Sequence, residues 1–275
     1  MSILQSLFYG LISGLTEFLP ISSQAHQTLL NTLFGADPEH LRNLLIHGGM
    51  LLAVVTCCGT YIQRLRRDDR SGSRRSRKKS YHSDRRTAYD LHLIKSATLP
   101  MVIGMLLSAF TGWMQNNLAL VALFFVINGI LIYIPEHLPQ SNKDASQMSA
   151  LDSFLISLGG LGSIFPGISR VGVGYSCAIA RGGDKEKSLN WILILSIPAL
   201  FVMIIFDLIG IITSGFGIVT FLSVFGCILS AIAAFGAACC GIFLMRFMTA
   251  RSGVSAFGYY CWGAALLSLI LYLTA

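Results

Sequence analysis

The chain has 275 residues, of which 54% are hydrophobic and only 12% charged, and its net charge is +7. Soluble domains carry about 25% charged residues, so this composition excludes an ordinary soluble globule and identifies an integral membrane protein. All seven cysteines lie in apolar segments without metal-ligand spacing, which argues against a disulfide framework or a zinc site.

In chain order, apolar segments fall at about 3–19, 21–34, 42–63, 91–112, 118–134, 151–165, 168–180, 189–212, 217–245 and 254–274. The first lacks the basic flank and small-residue cleavage site of a secretory leader, so no cleaved leader is expected. Segments 21–34, 151–165 and 168–180 are shorter than the roughly 20 residues that cross a bilayer. The pairs 3–34 and 151–180 are each broken by a polar motif containing proline, a pattern that suits re-entrant hairpins.

The two breaks resemble each other: "GLTEFLPISSQAH" from Gly14 and "GLGSIFPGISRVGV" from Gly160 share Gly-Leu, an apolar-Pro step and Ile-Ser. Each is followed by three longer apolar segments. The reading is therefore a single all-α polytopic membrane domain over 1–275, built as an inverted repeat. Each half (1–134 and 150–275) comprises a re-entrant helical hairpin and three transmembrane helices.

Between Arg64 and Arg86 lie eleven Lys or Arg and three Asp, a local charge of +8 that leaves −1 for the rest of the chain. The run is rich in Ser and without apolar periodicity, so it reads as a flexible cytoplasmic loop, 64–86, that sets topology and touches anionic headgroups. It lacks the interleaved aromatics of a nucleic-acid surface, and no nucleic-acid partner is expected. With that loop inside, most other Lys and Arg also fall inside, Arg42 falls outside and both termini are external. The two hairpins then enter from opposite faces, and their tips can meet near the midplane.

Glu17 and Arg170 are the charges placed deepest in apolar sequence, where an uncompensated charge costs several kcal/mol. One reading is a buried pair that holds the hairpins together. The other rests on the neighbouring residues. Arg170 has the planar donor fork that fits phosphate oxygens, and Gly167, Ser169, Gly172 and Gly174 allow backbone amides to approach an anion. Ser22 or Ser23 can serve as nucleophile or donor, and His26 as acid or base, sharing a helix face with both. Glu17 can orient the histidine or help to hold a divalent cation. His47, in "LIHGG" near the external face, is a further polar candidate.

With these residues assembled, the chain resembles the undecaprenyl-diphosphate phosphatase, or bacitracin-resistance, family. The likeness is carried by "GLTEFLPISSQAH", "FPGISR" and "HGGMLLAVV" and runs nearly full length. It implies an inverted-repeat enzyme of the bacterial plasma membrane that hydrolyses undecaprenyl diphosphate at an externally facing site, recycling the lipid carrier for cell-wall synthesis. It further implies that Ser23 and His26 are nucleophile and acid/base, that Glu17 is the second acid of a Glu-x-x-x-Glu motif, and that Ser169 and Arg170 grip the diphosphate beside Ser22. Three positions depart from the family pattern: Ser13 replaces the first acid, and Val171 and Gly174 replace a serine and a threonine. Mg2+ or Ca2+ would then have Glu17 as its one motif carboxylate, a poor site for a hard cation. The expected partners are the polyprenyl diphosphate and membrane lipids, with room for a homodimer. A non-catalytic relative that binds or flips a polyprenyl phosphate is the alternative.

Overall fold

The computed structural model describes residues 2–35, 39–73, 83–139, 141–214 and 221–274, and within them the chain is helical, without a named strand. The helices are α1 (Ile3–Glu17), α2 (Ser23–Phe34), α3 (His40–Cys57), α4 (Gly59–Ser73), α5 (Ser83–Leu107), α6 (Leu118–Glu136), α7 (Ala150–Ser157), α8 (Arg170–Ala180), α9 (Lys185–Ser214), α10 (Phe221–Ala250) and α11 (Ala256–Thr274). Six of them, α3, α5, α6, α9, α10 and α11, contain stretches long and apolar enough to cross a membrane. In a bilayer only structures that satisfy their own backbone hydrogen bonds can span, which selects helices for such sequence. Large side chains such as Phe110, Ile212 and Leu273 remain exposed, as lipid contact permits.

The two broken helix pairs, α1/α2 and α7/α8, begin alike. Ser2 caps α1 and pairs reciprocally with Gln5, and Ser149 caps α7 and pairs with Asp152, so each N-terminus meets its orphan amides with a capping box. Asp152 also pairs with Arg181 beyond the end of α8, which ties the two ends of that pair together.

Close helix contact depends on small residues. Gly10 and Gly14 of α1 lie against the backbone of Ser230 and Ala234 on α10, where an added Cβ would fall 2.2 and 2.3 Å from carbonyl oxygens. With no hydrophobic drive between helices in lipid, such small-xxx-small approaches supply the dispersion contact that holds spans together. Gly129 of α6 is packed in the same way against Trp262 of α11.

One expectation is corrected and one residue gains a setting that the sequence did not show. The basic run 64–86 is not one loop: α4 continues through Arg64 to Ser73 and α5 starts at Ser83, while 74–82 lies outside the described residues. Arginine is a good helix former, and the helix nucleated before the run simply extends into it. The second concerns setting, not side: Arg42, placed on the external side by charge, is 1% exposed, and its guanidinium lies 4.3 Å from the Tyr9 ring centre and 3.3 Å from Glu39. A cation with a long stem can be buried this way when an aromatic face and a carboxylate replace its water.

Candidate active site

The site forms where the breaks in the two helix pairs meet. Glu17 is the last residue of α1 and Arg170 the first of α8. Although they are 153 positions apart, Arg170 Nη2 donates to Glu17 Oε1. Ser23, at the start of α2, donates its hydroxyl to the other carboxylate oxygen, Oε2. Glu17 therefore receives one donor on each oxygen, a serine and a guanidinium, at 6% exposure. The buried pair foreseen for these charges is present, and the Ser23 hydroxyl shares it.

Backbone geometry produces this convergence. Pro20 follows the end of α1, and Ser22 takes a left-handed conformation, φ 64°, that turns the chain into α2. Gly167 adopts φ 120°, and a Cβ there would meet Phe124 and the backbone of Val121 and Phe125 at 2.8–2.9 Å, so only glycine fits. Ser169 caps α8, accepting from Gly172 N at 3.1 Å, and donates to Leu19 O at 3.2 Å in the opposite break. The Gly167 amide donates to Ser22 Oγ at 3.2 Å.

Asn128, fully buried in α6, joins the two breaks. Its Nδ2 donates to Pro20 O at 2.9 Å and its Oδ1 accepts from Ser169 N at 2.8 Å. Nothing in the breaks themselves identifies this residue, but a lone asparagine inside the apolar run "FFVINGILIY" was a readable signal of a polar contact within the bundle.

Glu17, Ser22, Ser23, Ser169 and Arg170 line one small pocket, closed by Met203 and Ile168, with about 20 Å³ of free space. That is room for about one water. Arg170 keeps donors in reserve. Its Nη1 reaches only the soft sulfurs of Met203 at 3.4 Å and Met105 at 3.9 Å, and its Nε is buried without a partner among the described residues.

The remaining candidates make other contacts. His26 hydrogen-bonds to Ser22 O (Nδ1, 2.8 Å) and to the Tyr260 hydroxyl (Nε2, 2.7 Å), and no described hydrogen bond links it to either serine hydroxyl. Ser169 and Gly167 spend their polar groups joining the two breaks. His47 does not line the pocket; it pairs with Asp207 at 2.6 Å, with His40 3.8 Å from the same carboxylate. Asp207, at 7% exposure, is nearly as buried as the histidine it holds. Asp207, a lone carboxylate inside the apolar run "VMIIFDLIGII", was a readable signal of the same kind as Asn128, whereas Tyr260 carried none, because its partner comes from another helix.

The donor set does not fit a divalent cation. Both oxygens of Glu17 already accept hydrogen bonds, one from a guanidinium that would repel a cation, and Ser13, one helical turn away, offers only a buried hydroxyl without a described partner. Among the described residues no group of three or more His, Cys, Asp or Glu could hold a metal ion.

Helical spans around a buried serine, carboxylate and guanidinium define a class: polytopic α-helical membrane proteins with a polar cluster buried between broken helices. More particularly, the chain belongs to the bacitracin resistance protein BacA family, whose model matches residues 6–267. It is 30% identical over 191 residues to the undecaprenyl-diphosphatase of Thermosipho africanus, covering 70% of this chain and 73% of the relative. The undecaprenyl-diphosphatase of Treponema denticola is 32% identical over 212 residues, 76% of each chain. That of Halothermothrix orenii is 25% identical over 249 residues, 90% of each.

Proposed function

We propose that the protein is a membrane phosphatase that hydrolyses undecaprenyl diphosphate to undecaprenyl phosphate and inorganic phosphate, and that Ser23, Glu17 and Arg170 carry the reaction. The observation behind this reading is the Ser23 hydroxyl donating into a carboxylate whose other oxygen holds Arg170. A hydroxyl aimed at a buried base is the arrangement of an activated nucleophile.

In the reaction, Ser23 Oγ attacks the terminal phosphorus and passes its proton to Glu17 Oε2. The bond from that phosphorus to the bridging oxygen breaks, and the polyprenyl phosphate leaves. Water then attacks the phosphoserine, the Ser23–phosphate bond breaks, and Ser23 recovers its proton as phosphate departs. Arg170 turns its spare donors to the phosphoryl oxygens and stabilises the charge that develops there. The base assigned here is Glu17 and not His26, whose ring nitrogens are engaged with Ser22 and Tyr260. The resting pocket is too small for a diphosphate, so binding must part Arg170 from Glu17; the substrate's negative charge replaces the carboxylate as the arginine's partner. Because the donor set does not fit a divalent cation, no step is assigned to one.

The same reading places the protein in the bacterial plasma membrane as two inverted halves, 1–134 and 150–275, with α1/α2 and α7/α8 as re-entrant hairpins. Support comes from the matching order of elements, a broken pair followed by three span-length helices, and from the concentration of Lys and Arg at one end. On this topology both termini and the site's opening face outward.

Purified protein in detergent, given undecaprenyl diphosphate with and without Mg2+ or Ca2+, is expected to release phosphate. Absence of release from the unaltered chain under all these conditions would defeat the proposal, and lipid binding without release would point to a non-catalytic carrier.

A further inference from the structure

We infer that Tyr260 is a positioning residue for the proposed hydrolysis, acting through His26 on the break that presents Ser23; this inference rests on that functional reading. The hydrogen bonds determine where the proton on His26 resides. Ser22 O, 2.8 Å from Nδ1, can only accept, so Nδ1 carries the proton. In the neutral ring Nε2 must then accept, and its donor is the Tyr260 hydroxyl at 2.7 Å. The ring is held on other sides as well. Tyr260 lies nearly parallel to it, with centroids 5.7 Å apart at 17°, and Phe125 presents an edge at 5.6 Å. His26 is 7% exposed, whereas Tyr260 is 48% exposed on α11.

This makes a directed chain of donors: Tyr260 O–H to His26 Nε2, then His26 Nδ1–H to Ser22 O. Ser22 is the residue in left-handed conformation and immediately precedes Ser23. A left-handed backbone at a non-glycine residue is uncommon and has to be maintained by its surroundings. The hydroxyl of Ser22 is fixed separately by the Gly167 amide at 3.2 Å. The Ser22 carbonyl sets the tautomer, and the Tyr260 hydroxyl, donating to the remaining nitrogen, holds the ring in the orientation that grips this carbonyl and so presents the Ser23 hydroxyl to Glu17. Without the tyrosine donor, Nε2 is left unpaired and the ring loses one of the two hydrogen bonds that orient it, which loosens its grip on the Ser22 carbonyl.

The test uses Tyr260→Phe, which keeps the ring contacts and removes only the hydroxyl. In 15N NMR of histidine-labelled protein in detergent, His26 should show an Nδ1–H tautomer with a hydrogen-bonded Nε2 in the unaltered chain, and the shift of a free Nε2 in Tyr260→Phe. For phosphate release, kcat should fall about five- to tenfold with KM nearly unchanged, the weight of one hydrogen bond between neutral groups. In a His26→Ala background, adding Tyr260→Phe should cost nothing further. The inference is overturned by an Nε2–H tautomer in the unaltered chain, by unchanged kcat in Tyr260→Phe, or by losses that add independently of His26. The measurement on the unaltered chain needs neither turnover nor the variant: an Nε2–H ring or an unbonded Nε2 there overturns the inference, whereas an inactive chain that shows the hydrogen-bonded Nδ1–H ring defeats the functional reading instead.

Discussion

Ser23 and Arg170 share one carboxylate, and removing each contact has a different consequence. Ser23→Ala should abolish phosphate release while leaving the Glu17–Arg170 pair and the thermal midpoint in detergent nearly intact. Glu17→Gln removes both the proton acceptor and the arginine's countercharge. Its kcat should fall at least about a hundredfold, the usual contribution of a general base, and the fold should weaken by about 3–5 kcal/mol, the cost of leaving one buried charge unpaired. Parallel assays of phosphate release and thermal unfolding distinguish the two outcomes; a Glu17→Gln protein with unaltered turnover would refute the assigned base. Asn128→Ala should cost about 1–3 kcal/mol for each buried partner left unsatisfied, Pro20 O and Ser169 N. The polar residues of the breaks were legible because charge and hydroxyls are rare in apolar sequence. Their pairing was not: Ser23 and His26 suit each other by helix spacing, yet the histidine turns to a tyrosine 234 positions away.

At the scale of elements, most predicted segments reappear as single helices, and α1, α2, α6 and α11 begin and end within a few residues of the apolar boundaries, whereas 42–63 divides between α3 and α4 and 151–165 is α-helical only through Ser157. The fit is good because transfer into lipid depends on local composition. What holds the helices together depends on contact. Gly14→Val forces a branched side chain into a site where even a Cβ lies 2.3 Å from Ala234 O. It should destabilise α1 against α10 by about 1–3 kcal/mol or more, measured as a lower unfolding midpoint. The foot of α7/α8 makes a prediction about pH. Burial pushes the Asp152 carboxyl up, but the Ser149 backbone N–H, the Arg181 guanidinium and the Ser149 hydroxyl together outweigh it and hold the group below the usual carboxylate range. A lowered folded value means that this stabilisation is complete above the unfolded pKa of about 3.9 and is lost as pH falls through the folded one. Asp152→Asn should therefore be less stable than the unaltered chain at neutral pH, with the difference shrinking only at strongly acidic pH.

Across the whole molecule, the proposed topology predicts which residues each face presents. In a background without the seven natural cysteines, Lys143→Cys should react with a membrane-impermeant maleimide in inside-out vesicles and not in intact cells, and Ser2→Cys the reverse. Reaction of both from one side would contradict the inverted arrangement.

Composition by itself established a membrane protein, and the two proline-containing breaks marked where polar chemistry would lie, because the cost of placing charge and broken helix in lipid is local and can be read residue by residue. Tertiary structure decided the partnerships: Asn128 across the two breaks, Tyr260 on His26, Asp207 on His47, and Glu17 as the acceptor for Ser23. Each joins residues from different elements, and a hydrogen bond forms only where packing brings donor and acceptor within about 3 Å. That condition is set by how the helices pack, and no local pattern of the chain contains it.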